Sequence, residues 1–399
     1  MEYNPLTPAM AEDPFPTFKW LRDNAPVYYN RELDFYALSR YDDVLAASLD
    51  HETYCSGKGI SLEGLEQGLD SLITKDEPEH GWNRRILVRQ FSAGRVAELE
   101  PRIRRVCTEL LDQAVQRGSM DVVTEFSSRL PMQVIGEMMG LPAQQRDTVH
   151  DLCNRMLTRE GAPSVRELPE DAVIAGAELF GLMYQLVQDR RARPGEDLIS
   201  LLVHTPVVDD AGNESYLRDE VLCGRLIELA VAGHETVMKL VASGTAALWR
   251  NPDQRAELCA DPSLIPNAIE EMLRYEPPSV YQGRVTTRDV ELHGTVIPEG
   301  SRVVLLTGAA VRDERQYPDP DRFDIHRRVG RQLAFGYGVH LCLGAHLARM
   351  ESRIAFEELL RRFPDYEIDW SRMRYTYGSS VRGYRNLVIL PRKPASVIG

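Results

Sequence analysis

No stretch of the 399 residues approaches the ~18 consecutive apolar positions that a membrane-spanning helix needs, so none is expected. Positive charge is also in short supply: 47 Lys and Arg face 60 Asp and Glu, a net charge of −13. That balance argues against non-specific nucleic-acid binding through a basic surface. Cysteine is sparse and scattered. The six, at 55, 107, 153, 223, 259 and 342, include no Cys-x-x-Cys pair. Neither a disulfide framework nor a zinc site finds the spacing it requires. The opening "MEYNPLTPAMAEDPFPTF" lacks the basic-then-apolar order of a secretory signal, and a cytoplasmic location is expected. Repeats, low-complexity tracts and Gly/Ser linkers are missing too. Residues 1–399 are therefore expected to form a single domain and a monomer, with neither membrane nor nucleic acid as partner.

What is present is an ordinary globular composition, 43% hydrophobic and 27% charged, in a chain long enough to bury a cofactor. A Pro-rich entrance leads into a helix near 15–24, and the alternating "APVYYN" and "DFYALSR" predict a hairpin within 26–40. From 76 to 275 the pattern is helical, with apolar residues three and four apart in "AGRVAELEPRIRRVCTELLDQAVQR" and "DAVIAGAELFGLMYQLVQDRRAR". The stretch 218–250, stopped by Asn251-Pro252, predicts a helix roughly 45 Å long. It is apolar on more than one side, which makes it a central helix. Residues 279–306 alternate β-branched positions with His-Gly and Glu-Gly turns, 343–363 are helical again, and the tail "VRGYRNLVIL" is β-like. The fold class is mainly α with a minor β region.

One cysteine sits in an unusual setting, "LAFGYGVHLCLGAHLAR" at 333–349. The other five lie in apolar or helical surroundings that suit small buried hydrophobes. Cys342 stands where a helix begins, so free N–H groups and the helix dipole favour a thiolate there. Gly336, Gly338 and Gly344 leave room for a flat group to approach the backbone, and Phe335 can pack beside the sulfur. A plain turn around a buried thiol is the competing reading of these residues.

The spacing Phe335-x-x-Gly338-x-x-x-Cys342-x-Gly344 resembles the haem-binding signature of cytochromes P450 at every fixed position. The resemblance runs along nearly the whole chain. "EEMLRYEPP" carries the family's Glu-x-x-Arg as Glu271 and Arg274, a structural ion pair one helical turn apart. "AGHET" at 232–236 matches the family's oxygen-side motif, Ala232, Gly233, Glu235 and Thr236. A mid-helix threonine can bond back to the carbonyl four residues earlier and open the ladder locally. "EPEHGWNRR" supplies His80 and Arg84 on one helix face, and "YQGRV" supplies Arg284.

That resemblance implies a P450 fold with haem b between the long central helix and the cysteine-loop helix. Cys342 is the implied iron ligand, and Thr236 with Glu235 the acid–alcohol pair that delivers protons. Haem contacts are implied for Ala232, Gly233, Phe335, Gly336 and Gly344, and propionate contacts for His80, Arg84, Arg284 and His340. The implied activity is an O2-dependent monooxygenase that hydroxylates a C–H bond. Its electrons come from an acidic ferredoxin with an NAD(P)H-dependent reductase, docking near Arg85, Arg89, Arg327, Arg328, Arg331, Arg349 and Arg353. By resemblance the substrate pocket draws on the 56–75 loop, roughly 155–185, 226–232, 279–282 and 378–381, with Ile60, Leu62, Leu72, Ile73, Leu229, Val280 and Val381 among them. These suggest an apolar guest such as a terpenoid, steroid or fatty-acid derivative, with Tyr281 and Gln282 placed to orient a polar end. A peroxide-driven peroxygenase and a haem-based binding or sensor protein stay open as alternatives.

Overall fold

Proline and glycine punctuate the helices of this chain as their backbone constraints demand. The computed structural model describes residues 2–62, 70–159, 167–376 and 380–392. Proline sits in the first turn of the helices Phe15–Asn24, Glu100–Arg117, Pro252–Ala260 and Ile265–Tyr275, where a missing N–H costs nothing. Gly118 and Gly140, at φ 73° and 83°, end the helices before them in the left-handed conformation. Proline also divides one periodic stretch. Residues 93–117 form two helices, Ala93–Ala97 and Glu100–Arg117, the second with Pro101 in its first turn.

The central helix runs unbroken from Asp219 to Arg250. Every residue from Val237 to Leu248 is buried, which accounts for its apolar character on more than one side. Helices Arg129–Met139, Glu170–Ala192, Ile265–Tyr275 and Ala345–Arg362 pack around it. Two glycines permit the closest approaches. A Cβ on Gly244 would stand 2.5 Å from Phe356 Cζ, and one on Gly233 would stand 2.8 Å from Ile135 Cγ1.

The β region is a five-stranded sheet in the order Val27–Asn30, Phe35–Leu38, Arg302–Leu305, Gln282–Thr286, Tyr54–Cys55. The expected hairpin is its first pair, antiparallel with Val27 opposite Leu38. Arg302–Leu305 joins the second strand in parallel, so residues 267 positions apart in the chain become neighbours. The His293-Gly294 turn has both residues at positive φ, 51° and 74°, and closes the small hairpin Val290–Leu292/Thr295–Ile297. The tail strand Val388–Pro391 pairs with Tyr366–Ile368 and with Met120–Asp121. The last of these is a two-residue strand inside the stretch read as helical.

Glu271 and Arg274 form a bidentate pair at 2.7 and 2.8 Å, both fully buried. Their remaining capacity reaches the extended segment before the cysteine loop. Arg274 donates to the carbonyls of Val311, Pro320 and Arg322, and Glu271 accepts from the Asp324 amide. An isolated buried pair is weak evidence of stability, but this one satisfies loop carbonyls that have no ladder partner.

Candidate active site

The helix Ala345–Arg362 begins three residues after Cys342, whose amide donates to the Phe335 carbonyl at 2.9 Å and closes the loop. Gly336 and Gly338 hold φ 69° and 73° there, and a Cβ on Gly338 would meet the Ser48 carbonyl at 2.4 Å. Only glycine fits that position. Gly344 has open space around it. Arg349 stacks over the Phe335 ring at 4.5 Å and fixes it beside the loop.

Cys342 is exposed, and it lines a cavity of about 270 Å³ between the cysteine-loop helix and the central helix. Crowding by protein atoms pushes its thiol pKa up, while the Gly344 amide and the charges of Arg84 and Arg349 pull it down. From the central helix, Leu229, Ala232, Gly233 and Thr236 line the same cavity. The sequence thus brings Cys342 and the "AGHET" segment to opposite walls of one apolar space. A groove of about 530 Å³ elsewhere is larger, but it lies away from Cys342, and charges along it are paired, as Arg102 is with Glu137.

Thr236 Oγ1 donates to the Ala232 carbonyl at 3.2 Å, the expected back-bond. The local opening of the helix does not follow, since Asp219–Arg250 continues as α-helix through it. The glycine in the motif has a packing reason instead, the contact of Gly233 with Ile135. Glu235 is buried on another side of the helix, near Cys153 and Lys239. Burial raises its carboxyl pKa, and Lys239 and Arg159 oppose the rise.

At one end of the cavity His80, Arg84 and His340 converge, and Arg284 lies outside its lining but close enough for its charge to act on His340. His80 and His340 stack at 4.3 Å; His80 Nδ1 lies 3.0 Å from Glu77 and His340 Nε2 lies 3.1 Å from Ser56 Oγ. Burial, with the neighbouring charges of Arg284, His80 and Arg84, pushes His340 down to about 3, so its ring is neutral at ordinary pH. Arg84 donates to the Leu341 carbonyl at 2.5 Å, tying the helix Glu79–Val88 to the cysteine loop. Arg284 is buried, donates to the Gly283 carbonyl at 2.6 Å, and burial lowers it to about 10. Neither Arg84 nor Arg284 has a carboxylate at ion-pair distance among the described residues. Two cations held that way are an open invitation to anionic groups.

The expected pocket divides. Leu72, Ile73, Leu229 and Gln282 line the cavity. Leu62, Val280 and Tyr281 belong to a separate core with Tyr3, Phe18 and Val304, and Val381 lines a small void of about 20 Å³ beside it. The Ile60 carbonyl accepts the Gly283 amide at 2.7 Å, an edge contact of the sheet. Within the expected pocket segments 56–75, 155–185 and 378–381, positions 63–69, 160–166 and 378–379 lie outside the described residues. Of the arginines near the loop, Arg327, Arg349 and Arg353 are engaged by Glu271, Glu270 and the Glu100/Glu357 pair. Arg85, Arg89, Arg328 and Arg331 are exposed, as are Val88 and Leu341.

Glu351 and Arg225 line the cavity without having been singled out in the sequence, and Glu228 falls inside the expected segment 226–232. Glu351 is fully buried with neither oxygen hydrogen-bonded among the described residues, and burial pushes its pKa well up. Arg225 and Glu228 were visible as polar interruptions, one turn apart, in the otherwise apolar "LCGRLIELAVAG".

A family model for cytochrome P450 matches residues 167–365. The chain is 38% identical over 384 residues to a putative cytochrome P450 123 of Mycobacterium tuberculosis, spanning 95% of this chain and 94% of that one. It is 34% identical over 351 residues to a steroid C26-monooxygenase of the same organism, spanning 88% and 86%. The structure of a mutant P450 EryK in complex with erythromycin B superposes with a TM-score of 0.89 at 32% identity, covering 98% of this chain and all of that one. Motif, fold and relatives agree, and the chain belongs to the cytochrome P450 family of haem monooxygenases.

Proposed function

We propose that this P450 holds haem b through Cys342 and hydroxylates a C–H bond of a mainly apolar small molecule. Terpenoid, steroid and fatty-acid-like compounds are the candidate classes. Electrons come from a separate ferredoxin and its NAD(P)H-dependent reductase. The observation that carries the reading is the placement of Cys342 and Thr236 on facing sides of one apolar cavity. The residues present fit the cofactor: an open thiol at a helix start, glycines that leave the loop uncovered, and two cations without carboxylate partners among the described residues. Arg84, Arg284, His80 and His340 would take the two propionates.

Haem, when bound, supplies dioxygen activation and oxygen insertion, and a thiolate ligand favours O–O cleavage. The chain's own residues do the rest. Leu72, Ile73 and Leu229 exclude water and hold an apolar body. The Thr236 hydroxyl donates to Ala232 and keeps its lone pairs toward the cavity side, where it can accept and pass on a proton. Glu235, with its carboxyl pKa raised by burial, is the proton store next to Thr236 in the chain. That pair favours the dioxygen route over a peroxide-driven one. Arg85, Arg89, Arg328 and Arg331, exposed with Val88 and Leu341 among them, offer an acidic ferredoxin both charge and an apolar patch.

The test is the absorption spectrum of the dithionite-reduced protein under carbon monoxide. A strongly red-shifted Soret band is the expected outcome, and its loss in Cys342→His with haem retained would identify the ligand. A haem band without the shift, or no haem after supplementation during expression, would overturn the reading.

A further inference from the structure

We infer that Arg225 is a specificity residue: its guanidinium donates to a neutral oxygen, a ketone carbonyl or a hydroxyl, at one end of the substrate. The inference rests on the monooxygenase reading above and names the polar feature its substrate carries.

Arg225 and Glu228 interrupt the apolar wall that the central helix gives to the cavity. Arg225 is 2% exposed. A buried guanidinium must have both its charge compensated and its N–H groups satisfied, and the two requirements are separable. Here the charge is compensated. Asp70 Oδ1 stands 3.6 Å from Nη2 and Glu228 Oε2 stands 3.7 Å from Nη1. Both separations are too long for hydrogen bonds, and Nη1 and Nη2 are buried with no acceptor among the described residues.

Neither carboxylate is free to close the gap. Glu228 accepts the amides of Leu72 and Ile73 at 2.6 and 2.9 Å. Asp70 Oδ1, the oxygen that faces Arg225, is already paired with Lys75 Nζ at 2.9 Å. The Asp70 backbone itself rests on the helix at Gly224, where a Cβ would come within 3.0 Å of its carbonyl oxygen. Residues 70–73 are thus pinned to the helix along one turn, and Arg225 is fixed in the angle between them.

What remains is donor capacity without an acceptor, in a place where Asp70 and Glu228 already stand against the two cations Arg225 and Lys75. A third carboxylate would add negative charge to that balance, whereas a neutral oxygen supplies lone pairs at no electrostatic cost. Leu72, Ile73 and Leu229 surround the position with apolar surface. The matching ligand is an apolar body ending in a ketone or hydroxyl. The propionates of haem are the other possible acceptor, and they already face Arg84, Arg284, His80 and His340.

The experiment titrates the ferric holoenzyme with three matched pairs of increasing bulk: 2-pentadecanone and pentadecane, cyclododecanone and cyclododecane, 5α-androstan-3-one and 5α-androstane. Palmitate serves as the carboxylate probe. Binding is read by Soret spin-state shift and independently by thermal midpoint, in the wild type, Arg225→Met and Arg225→Lys. For at least one pair, the wild type should bind the ketone about tenfold more tightly than the hydrocarbon. Arg225→Met should abolish that preference and Arg225→Lys restore part of it, with haem per polypeptide unchanged in both. No preference in the wild type for any pair, or a preference that survives Arg225→Met, overturns the inference. So does palmitate binding that exceeds every ketone and depends on Arg225. Loss of haem in Arg225→Met and Arg225→Lys alike would assign the guanidinium to a propionate instead. The thermal midpoint needs no thiolate ligation, so failure of the carbon monoxide test leaves this result readable by itself.

Discussion

Cys342 shows how little a residue's identity says without its neighbours. Five other thiols are buried or half-buried in helices and at a sheet edge; this one ends a glycine loop and opens on a cavity. Thr236 belongs to the same scale. Thr236→Ala should keep haem and substrate-induced spectral shifts but divert reducing equivalents to hydrogen peroxide. NADPH consumption set against product and peroxide yields checks this, and full coupling would count against proton transfer by the hydroxyl. His234, next to Glu235, gives a pH prediction. It is fully buried, its Nδ1 lies 2.8 Å from the Ala230 carbonyl, and burial lowers it to about 4. The unfolded chain therefore binds a proton near pH 6.5 that the native state refuses until about pH 4, so this group removes stability as pH falls. Between pH 7 and 5 the loss is roughly 2 kcal/mol. His234→Gln should lose that much less than the wild type over the same interval, measured by urea unfolding at both pH values. Glu228, raised to about 7 by burial, acts in the opposite sense and is intact in both proteins.

At the scale of elements, the central helix is both core and active-site wall. Its C-terminal half is buried on all sides, and Gly244 lets it settle against Phe356 and Met272. Gly244→Ala should overpack that crossing and cost about 1–3 kcal/mol, read as a lowered thermal midpoint. Its haem content and carbon monoxide band should stay unchanged, because the crossing lies two turns beyond Thr236. The helix pattern was legible because burial on every side leaves few polar positions to misplace. The split at Pro101 and the strand Met120–Asp121 were harder to see. Proline in a first turn resembles proline inside a helix until the boundary is known, and a two-residue strand has no period of its own.

Across the whole molecule, the Glu271–Arg274 pair ties a helix to the loop segment that leads to Cys342. Glu271→Gln should cost about 3–5 kcal/mol by leaving the Arg274 cation buried without its carboxylate, and lower the yield of haem-loaded protein. The docking face also belongs to this scale. Replacing Arg85, Arg89, Arg328 and Arg331 with Gln should raise the ferredoxin KM, with a smaller effect at high salt, while Arg349→Gln acts through Glu270 and Phe335. Steady-state turnover at two ionic strengths separates the two cases.

The sequence by itself determined the haem signature, the central helix, the hairpin and the ion pair, because each is written in spacings shorter than two helical turns or in one amphipathic pattern. Tertiary structure alone decided which pocket positions share a cavity. Leu72 and Leu229 meet across it, while Val280 and Tyr281 turn into a different core. It also decided which arginines have a carboxylate partner among the described residues and which do not. Those outcomes depend mostly on contacts between residues dozens to hundreds of positions apart, set by how helices and one mixed sheet close on each other, and no local pattern records them.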